Sequence, residues 1–189
     1  MNYLIESINN LKQIDIQNIK ERHPKRYLKA SNYKSKEDFK RCILGYVLLI
    51  KLLGEFLEED VYYNEFNKPF IKDKPYFNIS HSGDYVAVVI DNNPVGIDIQ
   101  KMEEKNLKLF KCFSKEEQEY INEKDSINRF HEIWSIKESA IKAIGTGLTT
   151  PFRNVEIIDA TNLEVNDQLF IYKKGIVFDN YSLSICYKE

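Results

Sequence analysis

Asp98, Glu138 and Lys142 are the residues whose types and spacing first suggest chemistry. In "WSIKESAIKAIGTGL" Glu138 and Lys142 stand four apart with the acid first, so both project from one helical face in the favourable order for an ion pair. Alone, such a pair is an ordinary surface contact worth roughly 0.2–0.5 kcal/mol. In "VGIDIQ" the two-residue period puts Val95, Ile97 and Ile99 on one strand face and Gly96, Asp98 and Gln100 on the other. Aspartate has low strand propensity, so Asp98 either caps a turn toward solvent or serves a ligand. Gly96 beside it favours a ligand, because a missing side chain lets one approach the backbone. In "NISHSGD" Ser80, His81 and Ser82 bring two hydroxyls and an imidazole to a strand end beside a glycine turn. No Gly-x-Ser-x-Gly elbow supports a Ser-His nucleophile, and His23, His81 and His131 lack zinc-ligand spacing. Phosphate contact is the more economical reading. The hard oxygens of Asp98 and Glu138 suit Mg²⁺, which binds through one or two carboxylates plus substrate phosphates and neutralises a pyrophosphate during transfer.

Charge points the same way. The net charge is only −2, which makes a poor general nucleic-acid binder. Yet Arg22 to Arg41 holds 8 bases against 2 acids, a cluster suited to a small polyphosphate, or else a solvated lysine-rich loop. No apolar run approaches a membrane span, and "MNYLIESINNLKQ" lacks the basic-then-apolar order of a signal peptide. Cys42, Cys112 and Cys186 are odd in number and widely spaced, which predicts reduced thiols in a cytoplasmic protein.

These residues need elements to hold them. Ser35 with Asp38 predicts a helix N-cap, followed by an apolar stripe through Phe39, Ile43, Val47 and Ile50 to a stop at Gly54. Turns at Gly83-Asp84 and Asp91–Pro94 divide the middle into strands "YFNIS", "YVAVVI" and "VGIDIQ". Ser114 with Glu117 caps a second helix, the Trp134 helix runs from about Asn128 to Gly145, and the end returns to strands "NVEIID", "QLFIY", "GIVF" and "YSLSICY". Helix-then-strands thus occurs twice, predicting an α+β fold of two similar halves, 1–94 and 95–189, each a helix on a small, mostly antiparallel sheet.

"FNISHSGDYVAVVI", "VGIDIQ", "FSKEEQEYI" and "WSIKESAIKAIGTGL", in this order and at these separations, resemble the 4′-phosphopantetheinyl transferases of the larger, surfactin-synthetase-activating class. The likeness extends upstream through "NKP" and, more loosely, "KRYLKA…KEDFKRCILG", covering roughly residues 25–150. The smaller holo-acyl-carrier-protein synthase class carries its aspartate motif near the start of a shorter chain, which this sequence does not match. The resemblance implies a monomeric pseudo-dimer with coenzyme A in the cleft between halves. It implies Mg²⁺-dependent transfer of the 4′-phosphopantetheine arm to a serine of an apo acyl or peptidyl carrier protein, an activity of holo-[acyl-carrier-protein] synthase type, releasing adenosine 3′,5′-bisphosphate. By similarity Asp98 and Glu138 hold Mg²⁺, Glu138 is also the base for the carrier serine, and Lys142 stabilises phosphate or leaving-group charge. Ser80 and His81 contact the nucleotide's phosphates, Lys68 the pyrophosphate or 3′-phosphate, and Lys25, Arg26 and Arg41 the 3′-phosphate end. Many relatives carry a third acid where this chain has Gln100, which keeps a carbonyl oxygen for the metal, directly or through water, but loses a charge. "QKMEEKNLKLFKCF" sets Lys101, Lys105, Lys108 and Lys111 among Met102, Leu107, Leu109 and Phe110, a mixed surface for an acidic carrier or a solvated connecting helix. Two further readings use the same residues: a non-catalytic coenzyme A- or carrier-binding homologue, and a magnesium-dependent nucleotide hydrolase. Intact Asp98, Glu138 and Lys142 argue against the first, and the basic cluster with "SHS" against the second.

Overall fold

Two antiparallel sheets, each covered by one long helix, position the residues singled out above. The computed structural model describes residues 1–103, 107–176 and 180–189. In chain order the elements are β1 (Asn2–Ser7), α1 (Gln13–Arg22), α2 (Pro24–Ser31), α3 (Lys36–Leu53), β2 (Val61–Tyr63), β3 (Pro69–Ile71), β4 (Tyr76–Ser82) and β5 (Tyr85–Asp91). There follow β6 (Val95–Lys101), α4 (Leu107–Phe110), α5 (Lys115–Glu123), α6 (Ser126–Ile144), β7 (Val155–Ile157), β8 (Asn162–Val165), β9 (Gln168–Ile176) and β10 (Tyr181–Tyr187). One sheet has the order β1-β5-β4, a second β6-β10-β9-β8-β7, and β2-β3 form a separate hairpin. The fold is α+β.

The expected caps form. Ser35 Oγ accepts from the Glu37 and Asp38 amides, starting α3, and Gly54 ends it at φ 74°. Ser114 and Glu117 close a reciprocal capping box on α5. Helix α3 buries Ile43, Leu44, Val47 and Leu48 in one cluster with Val86, Val88 and Ile90 of β5. The alternate β5 residues Ala87 and Val89 join Val95, Ile97 and Ile99 of β6 and Leu183 and Ile185 of β10. Strand β5 is therefore buried on both faces and reads as a continuous apolar run. Helix α6 covers the opposite side of the second sheet, where Ile136, Ala140 and Ala143 cluster with Leu163, Phe170 and Cys186.

The structure adds elements before Ser35: strand β1 with helices α1 and α2, so the basic stretch is largely helical and not a loop. Strand β8 was not expected, and "QLFIY" and the start of "GIVF" belong to one strand, β9. Short elements with one buried residue each, such as α1 with Ile19 and α2 with Ala30, leave little periodicity to detect. The three cysteines are free; Cys42 and Cys186 are buried and Cys112 is exposed. Among the described residues, no helix is long and apolar enough to cross a membrane.

Candidate active site

The site forms where β6 runs under α6. At Gly96 a Cβ would lie 2.1 Å from the Ser139 carbonyl oxygen and 2.4 Å from the Ala143 nitrogen. The glycine thus admits the backbone of α6, not a ligand, and this contact brings the Asp98 face of β6 against the Glu138–Lys142 face of the helix. Val95, Ile97 and Ile99 point the other way and are fully buried.

Asp98 is itself fully buried, and three side chains satisfy it. Lys142 Nζ donates to Oδ1 at 2.5 Å, Ser80 Oγ to Oδ1 at 2.9 Å, and Gln100 Nε2 to Oδ2 at 2.9 Å. A carboxylate only accepts, so Gln100 must offer its N–H and keep its carbonyl oxygen unused toward Asp98. Lys142 Nζ also donates to Ser80 Oγ at 3.0 Å. Lys142 therefore pairs across the seam with Asp98, and not along its own helix with Glu138. Removing one partner would strand a buried charge, a loss of about 3–5 kcal/mol for such pairs.

Glu138 is half-buried, and among the described residues nothing hydrogen-bonds its carboxylate. Burial raises its pKa, Lys142 opposes the shift, and the Asp98 charge adds to it. A raised carboxyl is a better proton acceptor and a carboxylate short of counter-charge. No group of three or more His, Cys, Asp or Glu able to hold a metal occurs among the described residues. A Mg²⁺ here would draw on oxygens of Asp98, Glu138 and the Gln100 carbonyl, the sparse protein coordination it takes where phosphates supply further ligands. The residues present fit the metal.

"NISHS" divides by strand period. Asn78 Oδ1, Ser80 Oγ and Ser82 Oγ accept from the amides of Ile97, Ile99 and Lys101 at 2.9, 3.2 and 3.0 Å. Strand β6 is an edge of its sheet, and alternate amides on its open side need acceptors. The three β4 side chains supply them, joining the two sheets without a backbone ladder. His81 lies on the other face and is exposed. Its pKa is lowered by desolvation first and then by the Arg41 and Lys142 cations, with Arg26 contributing. Arg26, Arg41 and Lys142, from distant segments, thus all act on His81.

The basic residues are partly engaged. Arg41 donates to the Gly83 carbonyl at 2.5 Å and to Asp38 at 2.6 Å. Arg26 lies over the Tyr46 ring at 4.2 Å and donates to the Cys42 carbonyl. Glu58 accepts from the Lys25 and Arg26 amides at the start of α2, at 2.9 and 2.7 Å. Lys25, Arg26 and Lys29 line a cavity of about 320 Å³ that also holds Glu58 and Glu59; Lys29 was not singled out from the sequence.

Lys68 differs most from its assignment by resemblance. Its ammonium donates to the carbonyls of Val95, Lys142 and Ala143 at 3.2, 2.6 and 3.1 Å, and burial pushes its pKa down to about 8. Lys137, within the apolar stripe of α6, is 1% exposed. It bridges Glu117 at 2.7 Å and the Phe152 and Val155 carbonyls at 3.0 and 2.7 Å. A lysine inside an apolar stripe was the available signal of a buried pair. Trp134 sits among Phe113, Phe130 and Phe152, with the Phe152 ring centroid 4.6 Å away. Beside that cluster an apolar cavity of about 720 Å³ opens onto Glu138 and Lys142. Of the lysine-rich segment that begins at the end of β6, Lys101 is exposed, whereas Lys105 lies outside the described residues and the Lys108 side chain is not described.

Residues 94–186 match the family model described as the 4′-phosphopantetheinyl transferase superfamily. The 4′-phosphopantetheinyl transferase gsp of Aneurinibacillus migulanus is 35% identical over 170 residues, covering 82% of this chain and 71% of that protein. The 4′-phosphopantetheinyl transferase Sfp of Bacillus subtilis is 36% identical over 145 residues, covering 71% of this chain and 65% of its own length, so this chain spans just under two thirds of it. Among solved structures, the holo-[acyl-carrier-protein] synthase of Thermotoga maritima matches 51% of this chain and 64% of its own at 21% identity and a TM-score of 0.38.

Proposed function

The chain belongs to the 4′-phosphopantetheinyl transferase superfamily, and from that membership we propose that it transfers the 4′-phosphopantetheine arm of coenzyme A to a serine of an apo carrier protein. The observation that carries the reading is the seam of β6 and α6, where Lys142 and Ser80 meet Asp98 and the Glu138 carboxyl feels the charges of both Lys142 and Asp98. On this reading Asp98, Glu138 and, directly or through water, Gln100 hold Mg²⁺, which when bound supplies neutralisation of the pyrophosphate. Glu138 takes the proton of the carrier serine, its basicity raised by burial. Lys142, one quarter exposed, lies at the seam with its ammonium available to charge on the leaving phosphate. The products are the phosphopantetheinylated carrier and adenosine 3′,5′-bisphosphate.

Ser80 and His81 take the nucleotide's phosphates, Lys25, Arg26 and Arg41 the 3′-phosphate end, and the 720 Å³ apolar cavity beside Glu138 suits the pantetheine arm. We place the boundary between two pseudo-symmetric halves at 94/95, where strands cease to join the first sheet and begin to join the second. A cytoplasmic monomer acting on an acyl or peptidyl carrier completes the proposal. Incubating the protein with coenzyme A, Mg²⁺ and an apo carrier, then weighing the carrier, tests it. A mass gain of one phosphopantetheinyl group, abolished by chelator, is expected. Coenzyme A binding without a gain would favour a non-catalytic homologue, and release of nucleotide without carrier modification a hydrolase.

A further inference from the structure

The Asn64–Lys68 turn is built as a clamp on the end of α6. Asn64 Oδ1 accepts from the Phe66 and Lys68 amides at 3.0 and 2.8 Å, and the Asn64 carbonyl accepts from Asn67, whose φ is 63°. This self-bonded turn sends Lys68 under the C-terminus of α6. There the Lys142 and Ala143 carbonyls, left without intrahelical partners, accept from its ammonium, and so does Val95 at the first residue of β6. Asn64 Nδ2 donates to the Gly145 carbonyl at 3.0 Å. Gly145 itself has φ 81°, and a Cβ there would lie 2.8 Å from Lys68 Cδ. The negative end of a helix dipole favours a cation at this position. Three carbonyls occupy the three donors of an ammonium, so none remains for a phosphate.

The two elements joined by Lys68 are those that carry Asp98 on one side and Glu138 with Lys142 on the other. They already touch backbone to backbone at Gly96, one residue beyond Val95. We propose that Lys68 is a positioning residue, which fixes the placement of α6 on β6 and with it that of Glu138 and Lys142 relative to Asp98, and that it does not contact the substrate's phosphates. This role rests on the transferase reading above. A misplacement of about 1 Å between catalytic groups costs on the order of a hundredfold in rate.

Lys68→Met and Lys68→Arg in the full chain test it. Coenzyme A affinity is measured calorimetrically without carrier, kcat and KM at saturating Mg²⁺, and amide hydrogen exchange across residues 142–145. The Met variant should bind coenzyme A within about threefold of wild type, lose at least tenfold in kcat, and exchange its α6 C-terminal amides faster. The Arg variant, which keeps a multi-donor cation, should recover part of kcat. Should Met at this buried position prevent folding, Lys68→Gln, which keeps two N–H donors, takes its place with the same expectations. A tenfold or greater loss of coenzyme A affinity with kcat retained would overturn the proposal in favour of phosphate contact. If wild-type protein modifies no carrier, the transferase reading fails instead. The clamp is then judged by exchange alone, and unchanged protection in the Met variant would overturn it.

Discussion

Glu138 is held in a state that costs stability and serves proton transfer. Burial, reinforced by Asp98, raises its pKa above the ordinary 4.5 despite Lys142. A carboxyl whose folded pKa exceeds its unfolded one binds its proton more tightly when folded, so stability falls as pH rises from about 4.5 through the folded value. Glu138→Gln should abolish that slope and raise the melting temperature at pH 7 by a few degrees, at about 2–4 °C per kcal/mol for a chain of this size, while transfer is lost. Melts between pH 4.5 and 8 check this, and an unchanged or lower Tm at pH 7 would contradict it. Gln100 poses the converse case. Gln100→Glu replaces an N–H that donates to Asp98 Oδ2 at 2.9 Å with a second anion. The metal-free protein should melt lower, and Mg²⁺ should raise its Tm by more than in wild type. The Mg²⁺ concentration for half-maximal rate should fall about tenfold, roughly 1.4 kcal/mol after desolvation offsets most of the Coulomb gain. A loss above a hundredfold at saturating Mg²⁺ would show instead that the Gln100 amide donates to a phosphate.

At the scale of elements, the contact of β6 with α6 and the β4 side-chain ladder carry the geometry. Gly96→Ala would drive a methyl into helix backbone that cannot yield as a flexible side chain would. A loss of about 2–4 kcal/mol is expected in urea unfolding, and a loss below about 0.5 kcal/mol would refute the close approach. Long capped elements were legible from sequence because their signals are local: Ser35 and Gly54 bound α3, and Ser114 with Glu117 opens α5. The ladder was not read, although Asn78, Ser80 and Ser82 stand at strand period. What those side chains face depends on which strand edge lies beside them, and that is set by tertiary packing. Gly96 was likewise recognised as a site of close approach, but the approaching group is a helix. Lys68 lies in a short turn whose partners are about 27 and 74 residues away in sequence, beyond any local pattern.

At the scale of the whole molecule, two sheets share one apolar layer between them, and the Asp98–Lys142 seam lies at the edge where β4 meets β6. Asp98, Glu138 and Lys142 stand out by type and local spacing, whereas the roles given to each rest on family motifs that join segments local physics leaves separate. On the transferase reading a carrier would meet this seam at the apolar cavity that reaches Glu138, which Leu109, Lys111 and Phe113 help to line. Lys105→Glu with Lys108→Glu should raise KM for an acidic carrier severalfold and leave KM for coenzyme A unchanged, and unaltered carrier kinetics at low salt would refute docking there. The central claim is that Asp98 and Glu138, from β6 and α6, act as one metal-holding pair. Its most direct test is Mg²⁺-dependent carrier modification by Asp98→Ala and Glu138→Ala, each shown by circular dichroism to be folded. The account predicts that both lose at least a thousandfold in rate, several kcal/mol of transition-state stabilisation. A folded variant of either kind within about tenfold of wild type would contradict it.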